Sequence, residues 1–385
     1  MTDGVDGGMC GDMVGSAESI TEGDMTDSRR IVVGMSGGVD SSVAAALLVR
    51  AGWDVTGVTC DFVCGDSSCC DAHDAHAVCD ILGIRHIHAD FSPQFEAQVI
   101  APFCAGFTAG LTPSPCVGCN RDMKIPALWE IAQEVGASAV ATGHYARVVQ
   151  RENGRYSVAC ASDTRKDQSY MLSRLSQEQL ARLVLPLGDM TKAEVRALAE
   201  RMGLPVAHRA DSEDLCFAPE GYRALLSERG VTFAPGPIRT AAGRVLGTHT
   251  GLAGYTIGQR SGLGIGGAPE PYYVIGKDAA ENALVVGFAR EAQMTGAIIQ
   301  DVVWQAFDEP PTELRCSVKL RYRSETVACI MSADSDAHAC RITLERPQPL
   351  TAPGQFAVLY AQGTVLASGM IARVIRVDDT QGSQG

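Results

Sequence analysis

The sequence predicts an α/β protein with a doubly wound parallel sheet, followed by a small β-rich domain and a C-terminal β-barrel. Three observations predict this architecture. Short apolar runs alternate with helical patterns over residues 31–145. Gly- and Pro-rich sequence then fills 206–295, and many short alternating strands with turn signals fill 296–375. We therefore expect domains at 29–205, 206–295 and 296–375.

In the first domain, we expect strands at 31–33, 55–59, 85–88 and 139–142 and helices at 74–82 and 125–135. A hairpin over 147–159 and a helix that starts at Thr191 are expected to continue the same layer. Strands that alternate with helices form parallel sheets, which bind ligands at the carboxyl ends of the strands. This rule places Cys60, Asp90, Gly143 and His144 near the first strand–helix loop.

That first loop, Ser36-Gly37-Gly38, joins an apolar strand to a helix expected to start at Ser41. Glycines let the backbone approach an anion, and the helix start adds unpaired N–H donors. Asp40 is able to accept hydrogen bonds from the loop or to hold Mg²⁺. The loop lacks the Gly-Lys-Ser/Thr ending of a Walker A motif, so the pattern predicts a phosphate site of another kind.

Composition limits the class of protein. The chain has 385 residues, and no apolar run approaches the ~18 residues of a membrane span. We expect no membrane association and a cytoplasmic location, because the N-terminal sequence has no apolar signal region. The net charge is −13, and residues 1–28 carry seven acids and no base, which predicts a disordered acidic tail.

Fourteen cysteines without a secretory signal indicate free thiols, metal ligands or catalysis. Cys119 follows a proline-rich loop just before a predicted helix, and Cys216 follows the acidic run 211–214. Because a helix N-terminus lowers a thiol pKa, we predict that these two are reactive thiols outside the core. Other cysteines are expected to be small buried hydrophobic residues: Cys160, Cys316, Cys329 and Cys340.

Two further patterns allow more than one interpretation. Residues 315–323 alternate and place four cations on one face of a predicted strand, either a solvated face or a stripe that follows a phosphate backbone. The second pattern consists of Cys64, Cys69, Cys70, His73 and His76. These residues form either a zinc site or part of a mobile loop, and their spacing fits no strong zinc motif.

A family resemblance joins these motifs. SGGVDSS at 36–42 resembles the pyrophosphate loop of the N-type ATP pyrophosphatases, within a longer GMSGGVDSS match at 34–42. Further matches are TPxP…CN (112–120), ATGHY (141–145), KDQSYML (166–172), DSxxxCF (211–217), IGQRxGLGIGG (257–267), KxRYR (319–323) and PGQ (353–355). Together they resemble the tRNA-specific 2-thiouridylases.

The resemblance implies that the C2 oxygen of the wobble uridine, position 34, is adenylated with ATP and Mg²⁺. Sulfur then arrives as a persulfide on Cys216, and Cys119 releases it as sulfide or forms a disulfide. The implied ATP-binding residues are Gly34, Met35, Ser36, Gly37, Gly38, Val39, Asp40, Ser41, Cys60 and Gly143. The implied tRNA-binding residues are Ser114, Pro115, Cys116, His144, Lys166, Asp167, Gln168, Arg321, Tyr322 and Gln355. The implied partners are the tRNAs for Lys, Glu and Gln and a sulfur-donor protein of a cysteine desulfurase relay.

One departure from the family pattern leaves the mechanism open. Cys116 stands where many relatives have Asp, and it makes a CxxC motif with Cys119. With Cys216, these thiols could instead hold an iron–sulfur cluster. Two other classes also remain: a pyrophosphate-loop ligase that acts on a small metabolite, and a non-catalytic RNA-binding or iron–sulfur scaffold.

Overall fold

The computed structural model describes residues 29–63, 66–210, 215–333, 339–377 and 379, with the backbone alone for 66–71. The predicted acidic tail, 1–28, lies outside the described residues. The zinc prediction falls largely outside them, because Cys64 and the side chains of Cys69 and Cys70 are not described. Among the described residues, no helix has the length and apolar character needed to cross a membrane.

In chain order, the helices are α1 (Val39–Arg50), α2 (Asp66–Leu82), α3 (Ser92–Phe95), α4 (Ala101–Thr108), α5 (Pro115–Cys119), α6 (Ile125–Glu134), α7 (Gln177–Ala181), α8 (Lys192–Arg201) and α9 (Tyr222–Glu228). The strands of the N-terminal half are β1 (Arg30–Gly34), β2 (Asp54–Asp61), β3 (Arg85–Asp90), β4 (Ala139–Ala141), β5 (Ala146–Gln150), β6 (Tyr156–Cys160) and β7 (Leu183–Val184). The later strands are β8 (Gly236–Thr240), β9 (Val245–His249), β10 (Tyr273–Asp278), β11 (Ala283–Gly287), β12 (Gln293–Trp304), β13 (Glu313–Lys319), β14 (Val327–Ala333), β15 (Ala339–Pro349), β16 (Phe356–Ala361) and β17 (Thr364–Arg376).

The first sheet has the strand order β3-β2-β1-β4-β7, and every pairing is parallel. Side chains of β1 enter cores on both faces: Val32 packs into one, while Ile31 and Val33 pack into the other. A strand buried on both faces reads as a continuous apolar run, which is why β1 could be predicted from its composition. The prediction of a doubly wound parallel sheet is confirmed.

The strand order places a topological switch point at β1. The chain moves outward from β1 to β2 and β3, then returns to pair β4 on the other side of β1. Ligands of such sheets bind in the crevice at this position, beyond the carboxyl ends of the strands. The glycine loop follows β1, and Gly143 and His144 follow β4.

A closed barrel follows a small central sheet of strand order β10-β11-β8-β9. The barrel runs β12-β15-β14-β13-β16-β17 and closes through the pairing of β12 with β17. The predicted C-terminal β-barrel is therefore confirmed. The predicted basic strand over 315–323 is too long, because β13 ends at Lys319 and a turn follows it.

The hairpin predicted over 147–159 belongs to a different sheet from the one we expected. Its strands, β5 and β6, extend the barrel sheet, with Thr364 of β17 opposite Ala159. The Cys160 amide also donates to the Gly363 carbonyl at 2.7 Å. An alternating pattern identifies a strand but not its partner, so the sequence could not assign this hairpin to the barrel.

A buried glutamine joins the barrel to the first domain. The Oε1 atom of Gln305 accepts from the Val158 amide at 3.0 Å, and its Nε2 lies 3.2 Å from the carbonyls of Leu172 and Ser173. Gln305 is fully buried, so these bonds satisfy an amide that would otherwise be costly to desolvate. The barrel thus fixes the segment that follows Lys166, Asp167 and Gln168.

Candidate active site

The glycine loop folds tightly onto the N-terminus of α1. The Ser36 amide donates to Ser41 Oγ at 3.2 Å, and the hydroxyl groups of Ser41 and Ser42 donate to the Gly38 carbonyl at 3.2 and 2.9 Å. The helix begins at Val39, two residues earlier than predicted. These bonds hold the loop at the start of α1, where a first helical turn has unpaired amides that can bind phosphate.

Gly143 brings the end of β4 against this loop. A Cβ atom on Gly143 would lie 2.7 Å from both the Asp40 carbonyl carbon and the Ser41 amide nitrogen. Real Cβ atoms do not approach backbone so closely, so the contact requires glycine. The two segments expected to hold ATP are thus packed together at the switch point, and the residues present fit a nucleotide with its phosphates at the loop.

Asp40 has partners that the sequence analysis missed. The Nζ atom of Lys192 lies 2.7 Å from Asp40 Oδ1 and 2.9 Å from Oδ2, and the Tyr145 hydroxyl donates to Oδ1 at 2.8 Å. The helix predicted to start at Thr191 is α8, and its capping box of Thr191 and Glu194 sets Lys192 as the first helical residue, beside the loop. Here Asp40 accepts hydrogen bonds from Lys192 and Tyr145 rather than from the loop amides.

Arg209 is a second missed residue at the loop. Its Nη1 atom donates to the Gly37 carbonyl at 3.0 Å, and the same atom is paired with the Asp74 carboxylate. Arg209 lies seven residues before Cys216 in the chain. It therefore links the glycine loop to the segment that leads to Cys216.

The expected environment of Cys119 is wrong. Pro115 starts α5 four residues earlier, so Cys119 ends that helix and continues without a break into the π-helical turn Asn120–Lys124 and then α6. Cys119 is 5% exposed and packs in the core, and burial raises its pKa to about 12. Its thiol is therefore protonated near neutral pH until a neighbouring charge or a bound substrate favours the thiolate.

Cys116, Cys119 and Cys216 nevertheless gather at one place. Cys216 is exposed and Cys116 is half-buried. Burial is the largest cause that raises the pKa of Cys116 and of Cys119. A negative charge on Cys216 raises both pKa values further. Lys124, which the sequence analysis missed, opposes this and lowers the pKa of both. The pKa of Lys124 is itself raised, because the attraction of the three thiolates exceeds the cost of its burial.

The thiols are free among the described residues, so the disulfide between Cys119 and Cys216 stays a prediction. Within the part of the chain that the structure describes, no three Cys, His, Asp or Glu side chains form a group able to hold a metal ion. Cys116, Cys119 and Cys216 therefore do not form a ready cluster site in this structure.

His144 connects the glycine loop with the thiols. Its Nδ1 atom lies 2.7 Å from Thr142 Oγ1. Burial, and then the positive charge of Lys124, lower the pKa of His144 to about 3, so the ring is neutral. On β2, on the far side of β1, burial raises the pKa of Cys60 to about 12, which makes this residue a packing surface rather than a nucleophile.

The predicted KDQ segment, 166–168, lies beside the same pocket. Gln168 Oε1 accepts from the Tyr145 amide at 2.9 Å, and Asp167 Oδ1 accepts from the Ala161 amide at 3.0 Å. The side chains of Asp167 and Gln168 thus hold the local backbone. Burial raises the pKa of Tyr322 in the barrel. Negative charges on Asp167 and Cys116 raise this pKa further, and the positive charge of Lys166 lowers it. Tyr322 therefore lies near the 166–168 segment and Cys116.

A loop of the barrel packs against the proline-rich segment that leads to Ser114 and Pro115. The Thr112 amide donates to the Pro353 carbonyl at 2.9 Å, and Gln355 Nε2 donates to the Thr112 carbonyl at 2.7 Å. Between them Gly354 has φ +91°, and a Cβ there would lie 3.2 Å from Thr112. The PGQ motif, 353–355, therefore positions the loop before the thiols.

Arg321 is engaged within the barrel in this structure. Its guanidinium donates to the Leu350 carbonyl and to Thr351 Oγ1. Arg321 thus fixes the turn after β13, where Tyr322 lies beside Tyr170 with ring centroids 6.0 Å apart. Lys319 and Arg323 flank this turn, with Lys319 Nζ 5.8 Å from the Tyr322 ring centre.

Comparisons with known proteins cover most of the chain. Family models described as a tRNA methyl transferase HUP domain, a tRNA methyl transferase PRC-barrel domain and an aminomethyltransferase beta-barrel domain match residues 29–220, 225–288 and 294–371. The tRNA-specific 2-thiouridylase MnmA of Chloroflexus aurantiacus is 46% identical over 89% of this chain and 98% of its own length. That of Sorangium cellulosum is 42% identical over 90% of this chain and 93% of its own length. The chain belongs to the tRNA-specific 2-thiouridylase family, a family of sulfurtransferase enzymes.

Proposed function

We propose that this protein thiolates C2 of the wobble uridine of tRNA, position 34, and that ATP first activates the C2 oxygen as an adenylate. The products are 2-thiouridine, AMP and pyrophosphate. One observation carries the proposal. The three thiols interact electrostatically with Lys124, Lys124 interacts with His144, and Gly143, next to His144, packs against Asp40 and Ser41 beside the glycine loop. These contacts support a phosphate site and soft nucleophiles that lie close to each other.

The activation step depends on the switch-point crevice. The amides of the glycine loop and of the α1 N-terminus would bind the β- and γ-phosphates, with Gly143 and Cys60 beside the adenosine. Lys192 is held at the loop by Asp40 and supplies a positive charge there. Mg²⁺ bound with ATP would neutralise the phosphate charge as pyrophosphate leaves.

The sulfur step uses the difference in exposure between the two predicted catalytic thiols. Cys216 is exposed and accessible to a sulfur-donor protein, whereas Cys119 is buried. The terminal sulfur of a Cys216 persulfide would attack C2 of the adenylated uridine, and AMP would leave with the oxygen. Cys119 would then attack Cys216 Sγ and break the S–S bond, which leaves sulfur on the uridine and forms a Cys119–Cys216 disulfide. A thiol reductant would reduce that disulfide before the next turnover.

Lys124 favours this chemistry because a thiolate attacks and a thiol does not. Burial opposes ionisation of Cys119, and the Lys124 ammonium is the positive charge that counters it. His144 is neutral beside Lys124, so it adds no competing positive charge. We infer that sulfur transfer depends on the Lys124 charge.

The tRNA would lie across the first domain and the barrel. The flipped-out base would be surrounded by Ser114, Pro115 and Cys116. It would be bordered by the 166–168 segment, His144, Gln355 and the turn at Arg321 and Tyr322. The packing of Gln355 on Thr112 and the position of Tyr322 near the 166–168 segment support this arrangement. We further propose the tRNAs for Lys, Glu and Gln as substrates and a cysteine desulfurase relay as the sulfur source.

The CxxC motif at Cys116 and Cys119 is the specific observation in favour of a second route, through an iron–sulfur cluster. The three thiols do not fit a cluster as they stand among the described residues, so no step is assigned to one. Iron and sulfide analysis of anaerobically purified protein separates the routes. Full activity with persulfide in iron-free protein supports the persulfide route, and activity that depends on stoichiometric iron contradicts it.

Nucleoside mass spectrometry tests the proposed function in cells. Cells that lack this chain should lose 2-thiouridine at position 34, and the intact gene should restore it. Retention of the thiolated base would refute the proposal. If thiolation is intact but a small metabolite accumulates, the protein is instead a pyrophosphate-loop ligase.

A further inference from the structure

We propose that Cys316 and Cys329 form a reversible dithiol–disulfide site in the C-terminal barrel, separate from the thiols of the candidate active site. The sequence suggested only that both are small buried hydrophobic residues. In the structure their Sγ atoms lie 3.6 Å apart. The two residues are direct partners in the antiparallel pairing of β13 with β14.

The strand pairing already has dimensions that a disulfide requires. Residues directly opposite each other on antiparallel strands project to the same face, with Cα atoms about 4.5 or 5.5 Å apart. Both separations lie within the range of about 4.4–6.8 Å that disulfides span. Rotation of the two side chains is therefore enough to bring the sulfur atoms to bonding distance, and the strands need not separate.

The two thiols differ in a way that assigns their order of reaction. Cys329 is 1% exposed, whereas Cys316 is half-buried and accessible to a small oxidant. Either sulfur can donate the hydrogen bond between them, and a thiolate on the more accessible Cys316 would accept it from the Cys329 thiol, which lowers the pKa of Cys316. Because the thiolate is the reactive form, Cys316 reacts first and Cys329 resolves the product.

Hydrogen peroxide is the simplest oxidant for this pair. The Cys316 thiolate attacks one peroxide oxygen, the O–O bond breaks, and the released hydroxide takes up a proton to give water. The Cys329 sulfur then attacks the sulfenic acid on Cys316, the S–O bond breaks, and hydroxide leaves with the Cys329 proton as a second water. Two thiols thus lose two electrons to one peroxide, and a dithiol reductant reverses the reaction.

The cross-link would close the segment between the two cysteines. Residues 317–328 include Lys319 and the turn that carries Arg321 and Tyr322. A disulfide that closes a loop limits the conformations of the unfolded chain. Oxidation should therefore raise the Tm of the protein and fix the base of this turn.

The test uses the full chain with Cys119→Ser and Cys216→Ser, so that the predicted catalytic thiols cannot contribute. Protein treated with one equivalent of peroxide is alkylated with N-ethylmaleimide, digested and measured by mass spectrometry. We expect a cross-linked peptide pair containing Cys316 and Cys329, two hydrogen masses lighter than the reduced pair. We also expect a Tm several degrees higher, reversed by dithiothreitol. Adding Cys104→Ser, which removes another half-buried thiol, should change neither result.

Cys316→Ser in the same background should abolish both the cross-link and the rise in Tm. The proposal does not depend on this variant, because the pair itself is measured in protein that retains both thiols. Recovery of both peptides as N-ethylmaleimide adducts, or of Cys316 as sulfinic acid without a cross-link, would overturn it, provided that circular dichroism shows folded protein.

Discussion

The Nζ atom of Lys192 lies 2.7 Å from Oδ1 of Asp40, although 151 residues separate them in the chain. The ion pair joins the first residue of α8 to the first turn of α1, where the glycine loop ends. Lys192 is mostly buried, and a third of the Asp40 side chain is exposed. This pair is one of the contacts, together with the Arg209–Gly37 hydrogen bond, that join later parts of the chain to the proposed phosphate site.

Lys192→Met should lower both the free energy of unfolding and the rate at which ATP activates the tRNA. Loss of the ammonium leaves Asp40 with the Tyr145 hydroxyl as its remaining described donor, which should cost about 1–2 kcal/mol in the free energy of unfolding. The rate of tRNA-dependent pyrophosphate release should fall about tenfold or more if an interaction of about 1.4 kcal/mol is removed. Arg201→Met, at the exposed end of the same helix, is the matched control and should change neither quantity. Equal pyrophosphate release by both variants would remove Lys192 from the site.

Gly143→Ala should disrupt the contact between β4 and the glycine loop. The added Cβ would lie 2.7 Å from backbone atoms of Asp40 and Ser41, so one segment must move. We expect weaker ATP binding in isothermal titration calorimetry and a lower Tm. Gly266→Ala is the control, because a Cβ at Gly266 has nothing within 4 Å. An alanine variant that binds ATP normally would show that the close approach is unimportant.

Cys216→Ser and Cys119→Ser should separate activation from sulfur transfer. Each variant should lose 2-thiouridine formation, because serine cannot carry or release persulfide sulfur. Both should still release pyrophosphate in a single turnover with tRNA and ATP, because the glycine loop is intact. Cys104→Ser provides the control for loss of a half-buried thiol. Thiolation at the normal rate by either catalytic variant would contradict the assigned roles.

His144 should make folding stability depend on pH. Its folded pKa is lowered to about 3, below the ordinary value of 6.5, so the unfolded chain binds a proton that the folded protein does not. The contribution of neutral His144 to the free energy of unfolding thus has its full value above pH 6.5. Below pH 6.5 this contribution falls by about 1.4 kcal/mol per pH unit. Urea unfolding between pH 7 and 5 should show a shallower dependence in His144→Gln. Lys124→Met should keep most of this pH dependence, because burial is the larger cause of the lowered His144 pKa. Identical slopes in the unchanged protein and in His144→Gln would exclude this linkage.

Binding of tRNA should depend on cations that flank the turn after β13. Lys319→Glu and Arg323→Glu should weaken affinity and reduce the slope of log K against log salt by about 1 for each phosphate that is no longer neutralised. Arg321 is a poorer probe, because it also holds the Leu350 carbonyl and its loss would disturb the turn. Arg244→Glu, an exposed cation in the central domain, is the control for net charge. An unchanged slope would place the tRNA elsewhere.

Local patterns predicted the elements that depend on local chemistry. The apolar run before the glycine loop predicted β1, and the helical patterns over 74–82 and 125–135 and the start at Thr191 predicted helix ends and a helix start close to those observed. The alternation of strands with helices predicted the parallel sheet. The many short strands with turn signals later in the chain predicted the barrel. These features are encoded within a few residues, so a single sequence is enough to reveal them.

Features that depend on long-range packing could not be predicted. The hairpin of β5 and β6 pairs with β17 of the barrel at Ala159 and Thr364, and nothing in its own sequence specifies that partner. Cys119 was expected to be exposed at a helix start, but Pro115 begins the helical run earlier and Cys119 is carried into the core. Lys124, Lys192 and Arg209 lie at the site, although their local sequence gives no sign of it. Their positions follow from how helices pack, which spacing along the chain does not reveal.

The most direct test of the proposed reaction measures all of its products together. Purified protein is incubated with undermodified tRNA, ATP labelled in both the α- and γ-phosphates, a persulfide donor and a thiol reductant, and 2-thiouridine, AMP and pyrophosphate are quantified. We predict one of each per tRNA, with 2-thiouridine alone lost in Cys216→Ser. Thiolation that proceeds without AMP and pyrophosphate, or unchanged thiolation in Cys216→Ser, would contradict the proposed reaction.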